Sequence, residues 1–127
     1  MRLEHEVTDD PALADELRPR GPVQLTITEQ REDAQLRLVL GGELDILTAV
    51  QFSAHMDEIV RRGHGDVAVD LRSLRFVDSA GLHILLNSQR RLIRGGRRLT
   101  VWCRPGPVAR AIQLARLSET LGLRDSP

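Results

Sequence analysis

The sequence predicts a single small α/β domain, a mostly parallel sheet of four to five strands with helices packed on it. Three observations predict it. Apolar residues recur with period two in some segments and with helical spacing in others, and the two kinds of segment alternate along the chain. Strands separated by helices imply right-handed crossovers and parallel pairing, whereas the first two strands are joined by a short polar turn and pair antiparallel. Finally, 127 residues hold one domain and at most a tail.

Residues 1–21 read as an N-terminal extension, expected to be flexible, with the domain occupying 22–127. The extension is dense in charge and ends at a Pro–Arg–Gly–Pro breaker. Asp10 before Pro11 suits the cap of a short helix over "PALADELR". Val23, Leu25 and Ile27 then alternate with polar residues, as do Leu36, Leu38 and Leu40 after "REDA", which predicts the antiparallel pair. The glycine pair of "GGELDIL" is expected to break the second strand.

"TAVQFSAHMDEIVRRG" predicts an amphipathic helix. Its stripe is Val50, Ala54 and Ile59, widened by Phe52, Met56 and Val60. Thr48 and Gln51 have capping-box spacing, and Gly63 is placed to stop the helix. "DVAVDL" (66–71) is a short apolar strand. A helix follows from about Ser79 to Arg94, ended by Gly95 and Gly96, and "RRLTVWC" predicts a fourth strand. After a Pro–Gly–Pro break, Val108, Ile112, Leu114 and Leu117 recur at helical spacing. Trp102 and Cys103 fall in the fourth strand, where burial is the usual fate of such residues.

Composition excludes several functions. With two Phe, one Trp and no Tyr, the chain lacks the aromatics of a base-stacking nucleic-acid platform. All 18 basic residues are Arg, balanced by 18 acids, so no net field draws the chain to nucleic acid or to a membrane. Arg90, Arg91, Arg94, Arg97, Arg98 and Arg104 cluster in sequence, but cations near a helix end complement its dipole. One cysteine permits neither an internal disulfide nor a multi-cysteine zinc site, and the four His show no ligand spacing. No metal and no cofactor is expected. The N-terminus lacks the apolar core of a signal peptide, and no apolar run approaches a membrane span, so the expected location is the cytoplasm.

Two motifs carry the chemistry. In "RFVDSAGLHILL" (75–86) a strand ends, an acid and a hydroxyl stand side by side at Asp78 and Ser79, and an apolar helix starts. Either side chain can cap that helix. A nucleophilic serine is disfavoured, because the hydrolase elbow needs glycines two residues on both sides and Val77 occupies the upstream one. His83 lies one turn along the same helix, whereas a catalytic base normally arrives from another element. Anion binding at the helix start is weakened by Asp78 and by the absence of a Gly-rich phosphate loop. A phosphorylation switch fits, since the helix dipole tolerates a phosphate while its charge alters docking. "GGELDILTA" reads by itself as a polar turn before a capped helix. In a mostly parallel sheet its Asp45 can share an edge with Ser79.

"GGELDILTA", "VAVDLRSLRFVDSAGLHILL", "GGRRLTVWC" and "VARAIQLARLSETLGL" resemble, in order and spacing, the STAS-domain anti-sigma factor antagonists of bacteria. The resemblance spans about 22–123. It implies a non-enzymatic, phosphorylation-gated antagonist. The unphosphorylated form binds a GHKL-type anti-sigma serine kinase and frees a sigma factor; phosphorylation of Ser79 breaks the complex; a PP2C-type phosphatase restores it. The implied partner-binding residues are Asp45, Thr48, Asp78, Ser79, Ala80 and Gly81. Two alternatives stand beside it. One is a STAS module with a different partner, such as a transport ATPase subunit or a larger signalling complex. The other is a small serine hydrolase using Ser79.

Overall fold

The computed structural model describes residues 25–63 and 65–125. The expected short helix after Asp10, the extension itself and Val23 lie outside the described residues. Strand β1 (Leu25–Glu32) turns through Asp33 and Ala34 into β2 (Gln35–Leu44), and Glu32 pairs with Gln35. Asp33 takes the left-handed conformation at φ 52°, which a short polar side chain tolerates. Helix α1 (Ala49–Arg62), β3 (Asp66–Val77), α2 (Ser79–Arg94), β4 (Leu99–Trp102) and α3 (Pro107–Leu114) follow. The sheet order is β1-β2-β3-β4, with β1 antiparallel to β2 and the remaining pairs parallel. After α3 the chain returns beside β4. Arg124 bridges to Trp102, and the Cys103 N–H donates to the Arg124 carbonyl at 2.7 Å. The described residues therefore form a four-stranded sheet with one extra bridge, within the four to five expected.

Alternation puts Leu36, Leu38 and Leu40 of β2, Val67, Val69 and Leu71 of β3, and Leu99 and Val101 of β4 into one core. Phe52, Met56 and Ile59 of α1, Leu82, Leu85 and Leu92 of α2, and Ile112 of α3 meet them. Each such side chain contributes about 1.5–3 kcal/mol by leaving water.

Residues of the opposite register carry polar groups. The Asp70 carboxylate is only 3% exposed and receives two guanidinium N–H donors from Arg72, at 2.9 and 2.8 Å. Burial pushes that carboxyl up, but the Arg72 hydrogen bonds and the charges of Arg72 and Arg37 outweigh it and hold it below the usual range. Arg37 and Arg72 also lie over the Trp102 ring, 5.3 and 5.6 Å from its centroid.

Four expectations are corrected. The glycine pair does not end β2, which runs on to Leu44 through register irregularities on both sides of Gly41 and Gly42. A Cβ on Gly41 would meet the Thr26 hydroxyl at 2.7 Å, and Gly42 takes the left-handed region at φ 92°, so the irregular stretch suits the glycine pair. Strand β3 continues past Leu71 to Val77. The buried stripe of α1 is Phe52, Met56 and Ile59, whereas Ala54 is exposed and Val50 is 72% exposed. Positions 50 and 52 differ by about 200° around a helix, so they cannot both face the core. Likewise Leu114 is 77% exposed at the end of α3, with Val108 and Ile112 buried.

Candidate functional site

The carboxyl ends of β2 and β3 are neighbours in a parallel pair, with Leu44 in register with Val77. Their two outgoing loops therefore leave the sheet side by side, where sites on parallel sheets gather. The chain turns from β3 into α2 at Asp78, whose backbone is extended (φ −111°, ψ −172°) and whose N–H donates to the Leu44 carbonyl. Asp78, not Ser79, caps α2: its Oδ1 accepts from the Gly81 N–H at 2.9 Å. Its Oδ2 accepts from the Ile46 N–H at 3.3 Å, across to the other loop. One carboxylate thus terminates a helix and ties the two loops together.

The second loop is braced from within. Asp45 Oδ1 accepts from the N–H groups of Leu47 and Thr48, each at 3.0 Å. The Thr48 hydroxyl accepts from the Asp45 N–H at 2.9 Å and donates to the Glu43 carbonyl at 2.8 Å. The expected capping box is not formed. Thr48 is helical in φ and ψ and makes no side-chain cap, while the Gln51 amide donates to the Leu25 carbonyl. Asp45 instead braces the turn before the helix, its carboxylate accepting from the Leu47 and Thr48 amides and its carbonyl from the Ala49 N–H at 2.7 Å.

Asp45, Thr48, Asp78, Ser79, Ala80 and Gly81 are brought together, but with different exposures. Thr48 is 5% exposed and Gly81 is buried. A Cβ on Gly81 would meet the Leu44 carbonyl oxygen at 2.3 Å and Val77 at 2.7 Å. These two residues let β2, β3 and α2 approach; they present no side chain to the outside. Ser79 is exposed at the first position of α2, and its hydroxyl makes no hydrogen bond among the described residues. Ser79, Ala80, His83, Ile84 and Ala49 line one open depression between the starts of α1 and α2.

Sequence reasoning missed the apolar rim of this edge. Ile46, Leu47 and Val50 are 69%, 75% and 72% exposed. The signal was available: an Ile–Leu pair in a loop otherwise built of acids, glycine and threonine. Scattered apolar residues on a surface are ordinary, whereas a contiguous group marks an interaction surface. The hydrolase arrangement is not assembled, since no carboxylate among the described residues orients His83. No group of three or more His, Cys, Asp or Glu among the described residues is placed to hold a metal ion. No helix among them is long and apolar enough to cross a membrane.

The class that emerges is a small α/β domain whose sheet edge displays an unbonded serine beside an apolar surface. A family model described as "Mlab, STAS domain" matches residues 27–124, and the chain belongs to this STAS-domain family. An anti-sigma F factor antagonist of Paenibacillus polymyxa is 27% identical over 105 residues, covering 82% of this chain and 90% of that protein. Among solved structures, an anti-sigma factor antagonist from Mycobacterium paratuberculosis superposes with a TM-score of 0.76 at 24% identity, over 84% of this chain and 90% of that one. The Bacillus cell fate determinant SpoIIAA in its phosphorylated form gives 0.62 at 22% identity, over 80% and 92%. At these identities the two structures establish the fold.

Proposed function

We propose that this STAS domain is an anti-sigma factor antagonist gated by phosphorylation of Ser79. The observation that carries the proposal is the Ser79 hydroxyl, exposed and unbonded beside the apolar group of Ile46, Leu47 and Val50. The name of the Paenibacillus relative and the phosphorylated state of SpoIIAA support the same reading. In it the unmodified edge docks on an anti-sigma factor that is also a GHKL-type serine kinase, and the sigma factor is released. In phosphoryl transfer the Ser79 Oγ–P bond forms as the bond from Pγ to the bridging oxygen of ATP breaks. ADP leaves and the hydroxyl proton passes to the kinase. A PP2C-type phosphatase hydrolyses the ester. In this reading the protein works in the cytoplasm, where ATP is.

Magnitudes explain why the fold would survive and the complex would not. A phosphate at the first turn of α2 gains about 0.3–1 kcal/mol from the helix dipole. Docking would bury the same group, carrying about −1.5 to −2 charge, against apolar side chains and beside Asp78. Desolvating such a charge costs several kcal/mol per ion. The modification is therefore neutral to the domain and prohibitive to the interface.

The test is a pull-down from the native cell with ATP present and absent, read by mass spectrometry. The expected result is a kinase retained without ATP, released with it, and phosphate on Ser79. Capture of another partner, indifferent to ATP, would overturn the proposal. That outcome would point to the other reading, a STAS module on a different partner such as a transport ATPase subunit.

A further inference from the structure

We infer that His83 is the phosphate-holding residue of the switch, donating an imidazole N–H to a phosphate carried by Ser79. The inference deepens the phosphorylation reading above and rests on it. Residues four apart on a helix stand on the same face, about 5–6 Å between Cβ atoms. Ser79 and His83 are so placed on α2, and both line the same depression with Ala49, Ala80 and Ile84. Both are exposed, and neither makes a hydrogen bond or ion pair among the described residues. Side chains on a helix lean toward its N-terminus, so the His83 ring leans back over the turn that carries Ser79, toward a phosphate on its Oγ.

The surroundings leave His83 as the donor. Of the residues lining the depression, only His83 has a side chain able to carry positive charge. Helix α1 contributes Ala49 and no charged side chain to that lining. The nearby acids are Asp78 at the β3–α2 junction and Asp45 in the β2–α1 loop. Both direct carboxylate oxygens at backbone N–H groups of the loops and of Gly81. A phosphate drawn toward His83 lies over Ala80 and Ile84 and covers the apolar floor of the depression. Modification then closes the docking edge by occupying it as well as by charging it.

The experiment places phosphoserine at position 79 by genetically encoded incorporation, so that no kinase is needed. Phosphorus NMR follows the second ionisation of the phosphate in the otherwise unchanged protein, in His83→Ala and in His83→Gln. With His83 present the midpoint is expected to lie lower than in the Ala variant by about half a pH unit, as an opposite charge nearby favours the dianion. The Gln variant, a donor without charge, should fall between. Nitrogen-detected imidazole spectra should show His83, and no other histidine, perturbed by the phosphate. Coincident phosphorus curves with an unperturbed His83 ring would overturn the inference. Either result stands apart from the pull-down, which tests whether a kinase uses Ser79 at all.

Discussion

At the residue scale the edge divides into groups that build it and one that is free to change. Ser79 belongs to the second kind, since its hydroxyl has no partner to lose. Ser79→Ala is expected to leave the urea unfolding midpoint unchanged within error and to abolish phosphate incorporation, followed with radiolabelled ATP and the cognate kinase. Continued labelling would mean that another residue is the acceptor. Gly81 belongs to the first kind. In Gly81→Ala the new methyl meets a backbone carbonyl, which cannot rotate away. A destabilisation of about 1–3 kcal/mol follows, measurable by urea denaturation. Thr48→Val keeps the shape of Thr48 but leaves the Asp45 N–H and the Glu43 carbonyl without their hydroxyl partner. Its expected cost is about 1–3 kcal/mol, again read from the urea midpoint.

At the scale of elements, the two loops leaving β2 and β3 act as one unit because Asp78 bonds into both. The apolar part of that unit is the β2–α1 loop with the first turn of α1. Replacing Leu47 by Asp removes an exposed side chain, so stability should move by less than about 0.5 kcal/mol. Binding to the captured partner should fall at least tenfold, as expected when an interface loses an apolar anchor of about 1.4 kcal/mol or more. Calorimetric titration of the wild type and variant gives the comparison. Unchanged affinity would show that the partner docks elsewhere. The elements themselves were legible where a single physical rule dominated. The capping acid, the apolar spacing and the closing glycines located α2 at its observed bounds, Ser79–Arg94. The rule conflicted with packing at Gly41 and Gly42, where turn-forming residues are carried inside β2 by irregular register. It also failed at Val50, since the local pattern permits two apolar stripes and only the sheet selects Phe52, Met56 and Ile59.

For the whole molecule, two carboxylates link stability to pH. Arg62 donates two hydrogen bonds to Glu29 and His55 contacts it at 2.7 Å, joining α1 to β1. The Arg62 hydrogen bonds, opposed by burial and aided by His55, hold the Glu29 carboxyl below its ordinary range. Asp70 is depressed as well, its Arg72 bonds overcoming burial. A carboxyl depressed in the folded state binds protons more readily when unfolded. These contributions are therefore complete above the unfolded values near pH 4 and are lost as pH falls through the lower folded ones. Urea midpoints from pH 7 to 2 should be level down to about pH 5 and then decline. Asp70→Asn should lower the midpoint at pH 7 and flatten that decline. An equally steep decline in the variant would assign the acid sensitivity to other groups.

The sequence by itself determined the succession of strands and helices, the acid–serine junction at 78–79, the aliphatic core and the family resemblance, because each is written in local spacing and residue type. Only the tertiary structure decided that Asp78 and not Ser79 caps α2, that Thr48 and Gly81 face inward, and that Ile46, Leu47 and Val50 form an exposed group beside Ser79. Those facts depend on β2 and β3 ending side by side. The register of two strands remote in sequence, and not the composition of either, brings the two loops to one edge.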